Sequence, residues 1–380
     1  MAAPVYLDYQ ATTPLDPRVF EVMRPYYEGK FGNPHSATHR YGWEAAAGID
    51  FAREQLAESL HVSPAELVFT SGATESNNLA IKGVMEARGS GHIITVVSEH
   101  KCVLETVKSL EGRGFDVSYL SIDKDGLIDL DELKRTIRPD TGLISIMAVN
   151  NEIGVIQPLK DIANIAHEHD ILFHCDAAQA LGKMPLDLKD FGVDLASFSG
   201  HKIYGPKAVG ALYVRSGAPL IRLKPVIDGG GQEGGIRSGT LSPALCAGFG
   251  AAVAIANQEM DQEQERAKRH FHMMLDGLQQ HIPDLQINGS LKHRLYSNLN
   301  LSFPGLDGSR LLRDLRGLAV SSGAACASAV SGPSYVLEAL GLSKDIAQST
   351  LRIGTGRFTT DIEIQNAVAE IVAAYRKQKE

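Results

Sequence analysis

The feature that most constrains the fold is an alternation of short apolar runs with helix-length stretches over the first two thirds of the chain. Each apolar run ends in polar residues or glycine, a pattern typical of a mostly parallel sheet covered by helices on both faces. Ligand sites of such sheets lie beyond the carboxyl ends of the strands, so we expect a functional site there. The predicted strands are 67–70, 93–97, 142–148, 171–174, 195–198 and 211–214.

The pattern changes after Asn257, where charged and helical segments become dominant. The elements predicted in this part are a long charged helix at 258–281, a strand at 298–303 and helices at 309–315 and 361–377. No internal repeat or low-complexity linker separates the two parts, so a freely swinging domain is not expected. We therefore predict an α/β fold with a large domain at 13–257 and a smaller α+β domain formed by 1–12 and 258–380.

Composition excludes several classes of function. A formal net charge of −8 argues against direct nucleic-acid binding, because phosphate contacts need clustered Lys and Arg. The amino terminus does not resemble a signal peptide, and no apolar run reaches the ~20 residues that a membrane span needs. The four cysteines lack CxxC spacing, which favours a reducing compartment, and we expect the cytoplasm. Paired histidines such as His167 and His169 lack a third ligand, so no metal site is predicted.

The segment Ser197-Phe198-Ser199-Gly200-His201-Lys202 places a lysine just past a predicted strand. A Schiff base with a carbonyl compound needs an unprotonated amine, whereas a free lysine has a pKa of ~10.4. Burial or neighbouring positive charge has to lower that pKa. Taken alone, a surface lysine is the simpler interpretation of Lys202.

Two further segments follow predicted strands. Asp176 ends an apolar run and is well placed to keep a pyridine nitrogen protonated, although an aspartate there is also a good helix N-cap. The segment from Thr70 to Glu75 runs through a glycine turn into a helix, and such a turn favours anions. The separation of Asp176 and Lys202 (202 − 176 = 26 residues) leaves room for a helix and a strand between them. An anion cradle, an acid and a lysine are together the contacts that pyridoxal 5'-phosphate requires.

At this point the sequence resembles a known family, the cysteine desulfurases. The motifs that carry the resemblance occur in the family's order from near residue 5 to near residue 360, which makes it highly specific. They are Leu7-Asp8-Tyr9, Ala11-Thr12-Thr13-Pro14, Gly32-Asn33-Pro34, 70–77, Glu99-His100-Lys101, Val149-Asn150-Asn151-Glu152-Ile153-Gly154, 176–179, 199–202, Arg237-Ser238-Gly239-Thr240, Ser321-Ser322-Gly323-Ala324-Ala325-Cys326 and Gly356-Arg357-Phe358-Thr359.

The resemblance implies fold-type I of the pyridoxal-phosphate enzymes, a homodimer, and specific roles for residues. Lys202 would bind the cofactor covalently, Cys326 would take the sulfur of L-cysteine as a persulfide, and His100 would stack on the cofactor ring and move protons. Asn151 and Arg352 would bind the substrate carboxylate. The further cofactor contacts implied are Ala73, Thr74, Asn151, Asp176, Gln179, Ser199, His201 and, from the partner subunit, Thr240.

Some of these roles have ordinary alternatives when the residues are taken alone. His100 follows a strand and resembles a structural histidine, and Arg352 lies in an alternating pattern that fits a solvated strand face. Cys326 lies among small residues that predict an exposed loop, where a thiolate has access, although taken alone a buried structural cysteine is the simpler interpretation. We assign structural roles to Cys102, Cys175 and Cys246.

The resemblance leaves other functions open. A fold-type I aminotransferase would need Lys202 and Asp176 but not Cys326, and a binding or scaffold subunit that kept the fold would need none of them. Selenocysteine lyase activity is a close variant. The sulfur acceptor is expected to be a protein. Two departures from the family pattern are present: Gln10 replaces a small residue, so we expect a different contact of the amino-terminal segment, and the chain ends at Glu380. The second departure keeps the pathway open among iron–sulfur assembly, nitrogenase-type assembly, tRNA thiolation and DNA phosphorothioation.

Overall fold

The computed structural model describes residues 3–322 and 333–380. Within them the strands are β1 (Val5–Tyr6), β2 (Leu67–Thr70), β3 (His92–Val96), β4 (Asp116–Leu120), β5 (Thr141–Ser145), β6 (Leu172–Asp176), β7 (Leu195–Ser199), β8 (Gly210–Val214), β9 (Gln286–Ile287), β10 (Asn298–Ser302), β11 (Leu318–Ala319) and β12 (Thr350–Gly354). The α-helices are α1 (Pro17–Met23), α2 (Pro25–Glu28), α3 (Arg40–Leu60), α4 (Ala73–Arg88), α5 (Lys101–Glu111), α6 (Leu130–Thr136), α7 (Leu159–Glu168), α8 (Pro243–Gln279), α9 (Gly308–Asp314), α10 (Tyr335–Ala339), α11 (Lys344–Gln348) and α12 (Asp361–Lys379).

A seven-stranded sheet with the order β2-β8-β7-β6-β5-β3-β4 forms the larger part of the molecule. Strand β8 runs antiparallel to both of its neighbours, and the other pairs are parallel. The carboxyl ends of β2, β6 and β7 therefore lie at one edge. This sheet, together with a smaller antiparallel one, confirms the predicted α/β fold class.

Close approach of the backbone fixes the edge where β2 turns into α4. Gly72 is the N-cap of α4 and has φ +145°, in the region that glycine favours. A Cβ added at Gly210, in the neighbouring strand β8, would lie only 2.6 Å from the Gly72 Cα atom. These two glycines let β8 pass directly beside the N-terminus of α4.

Helix α8 contributes to two hydrophobic cores, one beneath the large sheet and one beside the small antiparallel sheet. Its first half packs on α3, and a Cβ at Gly250 would lie 2.6 Å from the Ala52 Cα atom. Its second half packs on α12 beside the small antiparallel sheet β9-β10-β12. The sequence pattern predicted this helix only from residue 258. Its first turns carry small apolar residues that are buried on nearly every side, so they show no amphipathic period.

The connection between β6 and β7 contains no α-helix. The spacing left room for a helix between Asp176 and the strand before Lys202, but residues 177–194 form turns. The two strands nevertheless pair directly and in parallel, with Asp176 opposite Ser197. No helix within the described residues is long and apolar enough to cross a membrane.

Candidate active site at the carboxyl edge of the large sheet

A cavity of about 450 Å³ lies beyond the carboxyl ends of β2, β6 and β7. Most of the residues predicted to form the site line it: Ala73, Thr74, His100, Asn151, Asp176, Gln179, Ser199, His201, Lys202 and Arg352. Thr240 is exposed and lies outside this cavity. Cys326 lies outside the described residues.

The N-terminus of α4 forms an anion cradle on one side of the cavity. Ala73 and Thr74 begin this helix of 16 residues, so its first backbone N–H groups and its dipole favour negative charge. A Cβ at Gly72 would lie 3.5 Å from the Ser199 Oγ atom, which places that hydroxyl beside the helix start. Burial, and then the charge of Lys202, lower the pKa of His201 to about 4, so His201 is neutral at pH 7.

Asp176 lies at the end of β6 and is only 6% exposed. Its Oδ2 atom accepts a hydrogen bond from Asn77 Nδ2 at 2.7 Å, and its Oδ1 atom accepts one from the Ala178 N–H at 3.0 Å. Within the described part of the chain no lysine, arginine or histidine forms an ion pair with this carboxylate. A buried carboxylate without a cationic partner is a suitable counter-charge for a protonated ring nitrogen.

Lys202 lies three residues beyond β7, at the end of a short 3₁₀ turn. Its Nζ atom donates hydrogen bonds to the Gln10 carbonyl at 2.6 Å and to the Ala11 carbonyl at 2.8 Å. The amine is therefore held by the amino-terminal segment at the edge where Asp176 also lies.

His100 is the N-cap of α5. Its Nδ1 atom accepts a hydrogen bond from the Cys102 N–H at 3.2 Å, so the neutral ring carries its proton on Nε2. Burial lowers the pKa of His100, and the nearby Lys202 lowers it further, while Asp176 opposes this effect. His100 is therefore a neutral hydrogen-bond donor through Nε2.

Arg352 lies in the middle of β12 and is only 1% exposed, so it does not occupy a solvated strand face. Its guanidinium donates to Asp8 Oδ1 at 2.7 Å and to the Asn151 carbonyl at 3.2 Å. The Oδ1 atom of the Asn151 side chain is buried and has no hydrogen-bond partner among residues 3–322 and 333–380. An arginine and an amide with unused hydrogen-bonding capacity thus line the same cavity.

The chain on both sides of residues 323–332 is tied to this cavity. Before this segment, the Ser321 carbonyl accepts a hydrogen bond from the Arg352 N–H at 2.6 Å. After it, Ser334 Oγ donates to Glu152 Oε2 at 2.5 Å, and the Tyr335 hydroxyl donates to the Glu99 carbonyl at 2.6 Å. The flanks of the Cys326 segment therefore contact residues next to Asn151 and His100.

Two polar residues of the site were missed by the sequence interpretation. Asn77 is fully buried and donates a hydrogen bond to Asp176. It lies in the motif at 70–77, but no role was assigned to it. Cys102, which we expected in an apolar setting, lies 2.9 Å from His100 Nδ1 and 3.9 Å from Asp176 Oδ2. Its position two residues after His100, in the first turn of α5, was the available signal.

These residues fit pyridoxal phosphate. The helix start at Gly72 has space that a larger side chain would fill, Asp176 is a buried carboxylate, and Lys202 presents an amine at the same edge. The groups match the phosphate, the ring nitrogen and the aldehyde of the cofactor in turn.

Comparison with known proteins agrees with this chemistry. Residues 5–367 match the family described as aminotransferase class-V. The mitochondrial cysteine desulfurase of Arabidopsis thaliana is 52% identical over 379 residues, which cover 99% of this chain and 83% of that protein. The chain belongs to the cysteine desulfurases of the class-V aminotransferase family. Members of this family depend on pyridoxal phosphate.

Two solved structures are also similar. A NifS-like protein superposes with a TM-score of 0.91 at 39% identity, covering 98% of this chain and 100% of that one. SspA in complex with cysteine superposes with a TM-score of 0.82 at 41% identity, covering 94% of this chain and 100% of that one. The fold and the family thus agree along nearly the whole chain.

Proposed function

We propose that this chain takes sulfur from L-cysteine with Lys202, Asp176 and Cys326 as the principal groups. The products are L-alanine and a persulfide on Cys326. The observation that carries the proposal is the convergence of the α4 N-terminus, Asp176 and Lys202 on one cavity. Membership of the cysteine desulfurases supports the reaction, and the cysteine bound to SspA supports the substrate.

The residues of the cavity would hold the cofactor by its opposite ends. Ala73, Thr74, Ser199 and His201 bind the phosphate, Asp176 binds the ring nitrogen, Gln179 binds the ring oxygen, and Asn151 also contacts the cofactor. Pyridoxal phosphate supplies an electron-withdrawing ring, which stabilises the negative charge left when the substrate α-carbon loses a proton. Lys202 Nζ would accept that proton, and His100 would donate a proton through Nε2.

Cys326 is the thiol that the proposal assigns to sulfur transfer. The three cysteines in the described part of the chain are disfavoured, because burial raises the pKa of Cys102, Cys175 and Cys246, that of Cys246 to about 12. Thiols with raised pKa values supply little thiolate at pH 7. The ties of Ser321 and Ser334 to the cavity bring both flanks of the Cys326 segment close to the site.

The transfer step balances without an external oxidant. The Cys326 thiolate attacks the substrate sulfur, an S–S bond forms, and the bond between that sulfur and the substrate β-carbon breaks. The electron pair of the broken bond stays with the carbon fragment, which takes up protons and leaves as L-alanine. The persulfide then passes its outer sulfur to a protein acceptor.

A Cys326→Ala variant tests this role. We expect it to keep the visible absorbance of the bound cofactor and to form neither persulfide nor alanine above background. Alanine formation at the normal rate would refute the role of Cys326. A keto acid formed without sulfide by the wild-type protein would instead favour an aminotransferase, and failure to bind the cofactor would favour a non-catalytic subunit. Parallel assays of sulfide and selenide release compare cysteine with selenocysteine.

We also propose a homodimer in which Thr240 contacts the phosphate bound by the partner subunit. Thr240 is exposed and outside its own cavity, and large aromatic side chains such as Phe31, Tyr41 and Trp43 are exposed on α3 and the segment before it. Mixed dimers of Lys202→Ala and Thr240→Ala subunits test the arrangement. If Thr240 acts across the interface, one of the two sites in a mixed dimer is fully wild-type. If it acts within its own subunit, no site is.

The domain boundary, the cellular location and the sulfur acceptor are further proposals. A domain boundary near residue 257 would fall inside α8, between its contacts with α3 and with α12. Cys102, Cys175 and Cys246 form no disulfide with one another, which fits the reducing cytoplasm. The net charge of −8 favours a protein rather than a nucleic acid as the direct sulfur acceptor. Capture of persulfide-labelled proteins from the native host would identify this acceptor.

A further inference from the structure

Lys183 makes a contact that the proposed reaction does not yet use. Its Nζ atom donates a hydrogen bond to Gln179 Oε1 at 2.7 Å. Gln179 is only 6% exposed and lines the active-site cavity, whereas Lys183 lines a second cavity of about 450 Å³. Gln10 and Lys202 line both cavities, so Lys183 contacts Gln179 from a cavity that adjoins the active site.

The opposite end of the Gln179 amide is also fixed. Its Nε2 atom donates to the Gln10 carbonyl at 3.0 Å, and this carbonyl also accepts from Lys202 Nζ. A continuous chain of hydrogen bonds thus joins Lys183, the Gln179 amide, the Gln10 carbonyl and Lys202. The two lysines are linked through one side chain and one backbone carbonyl.

The surroundings of Lys183 make an ordinary structural role costly. Within the described residues it forms no ion pair with a carboxylate. Burial, followed by the charge of Lys202, lowers the pKa of Lys183 to about 7, while Glu263 opposes the shift. Placing an amine in such a position without an ion pair costs stability. Among the side chains that the structure describes, Lys183 Nζ donates only to Gln179, which belongs to the active site.

The two ends of a glutamine amide are nearly identical in shape and differ only in hydrogen bonding. Below its pKa of about 7, Lys183 is an ammonium, which is purely a donor and so selects the oxygen of the amide. We infer that Lys183 is a positioning residue, which fixes the Gln179 side chain so that its N–H₂ group faces the Gln10 carbonyl and the ring oxygen of the bound cofactor. The inference rests on the proposed contact between Gln179 and the cofactor.

The test compares holoenzymes carrying Lys183→Met, Lys183→Arg and, as a matched control, Lys124→Met. Lys124 is exposed and far from the site in sequence. We expect Lys183→Met to shift the visible absorption band of the bound cofactor and to speed cofactor loss on dialysis by about tenfold, because a charge-assisted hydrogen bond is lost. Lys183→Arg and Lys124→Met should both keep the absorption band and the rate of cofactor loss of the wild type.

A double-mutant cycle with Gln179→Leu separates positioning from a general structural role. If Lys183 acts through the Gln179 amide, Lys183→Met changes neither the band nor the cofactor loss further in the Gln179→Leu background. Equal effects in both backgrounds, or a lower thermal midpoint with an unchanged band, would overturn the inference. Wild-type protein without any cofactor band would instead refute the proposed function, so the two failures are distinguishable.

Discussion

Two walls of the active-site cavity obtain their polar side chains in different ways. The first, which we call the large-sheet wall, consists of Thr74, Asp176, Ser199 and Lys202, each at or just past the end of a strand. The second, the β12 wall, consists of Arg352 and its contacts Asp8 and Asn151. Arg352 comes from the middle of a strand, and its carboxylate partner lies 344 residues away in sequence. The comparison shows that a strand end places a residue by local rules, whereas a mid-strand residue depends on distant packing.

Replacing the lysine of the large-sheet wall should have the largest effect. Lys202→Ala removes both the covalent link to the cofactor and the base at the substrate α-carbon. Because general acid–base catalysis alone contributes about 10²–10⁴-fold, we expect kcat to fall by roughly 10³-fold or more. Alanine release measured at saturating L-cysteine checks this. A loss below tenfold would show that the amine is not in the reacting position.

Replacing the arginine of the β12 wall should act mainly on substrate binding. Arg352→Met removes hydrogen bonds to a carboxylate worth about 1.5–3 kcal/mol, so we expect KM for L-cysteine to rise roughly 10–100-fold while kcat changes much less. Steady-state kinetics separate the two constants. A fall in kcat with an unchanged KM would instead show that Arg352 acts in the chemical step, as the large-sheet wall does. Arg310→Met, on the exposed surface of α9, is the control.

The large sheet should also make folding sensitive to acid. Burial lowers the pKa of His174 to about 3, and its ring bonds the hydroxyls of Ser145 and Ser197. In the unfolded chain this histidine has a pKa of ~6.5, so below that pH the unfolded chain binds a proton here that the folded chain does not bind. The free energy of unfolding therefore falls as the pH falls, by up to ~1.4 kcal/mol per pH unit for this group.

Denaturant midpoints at pH 7 and pH 5 measure this dependence. A His174→Asn variant should be less stable at pH 7 but should lose less stability between the two pH values than the wild type. An identical loss in both proteins would assign the acid sensitivity to other histidines.

The smallest effect is expected at Ser334, just after the segment that carries Cys326. Ser334→Ala removes the hydrogen bond to Glu152 and should lower stability by ~1 kcal/mol, and we expect persulfide formation to slow by less than tenfold. Cofactor absorbance should stay unchanged, because the large-sheet wall is not touched. Rapid-quench detection of the persulfide checks the rate. A changed cofactor band would mean that the two walls are not independent.

What the sequence predicted follows the same division. Lys202 and Asp176 were found because each follows a strand, and the missing helix between β6 and β7 did not matter since those strands pair directly. Arg352 had a solvated alternative, because alternation within a strand does not show which face another element covers. Asp8 and Asn151 contact Arg352 on that face.

Other features had no local signal. His270 lies in the segment predicted as a long charged helix at 258–281, yet it is only 1% exposed and bonds Asp361 at the start of α12. The contact of Lys183 with Gln179 depends on the turn after β6, which no periodic pattern encodes. Such contacts arise from the path of the backbone rather than from the identity of neighbouring residues.

Helix α8 has a consequence for how the enzyme handles its substrate. At 37 residues it is about 55 Å long, and the same continuous rod is packed into both hydrophobic cores. A hinge between the cores would have to bend it, at the loss of backbone hydrogen bonds. We therefore expect the ring-binding and carboxylate-binding groups to keep a constant separation during turnover, so that the enzyme acts as a rigid template and not as a pair of closing lobes.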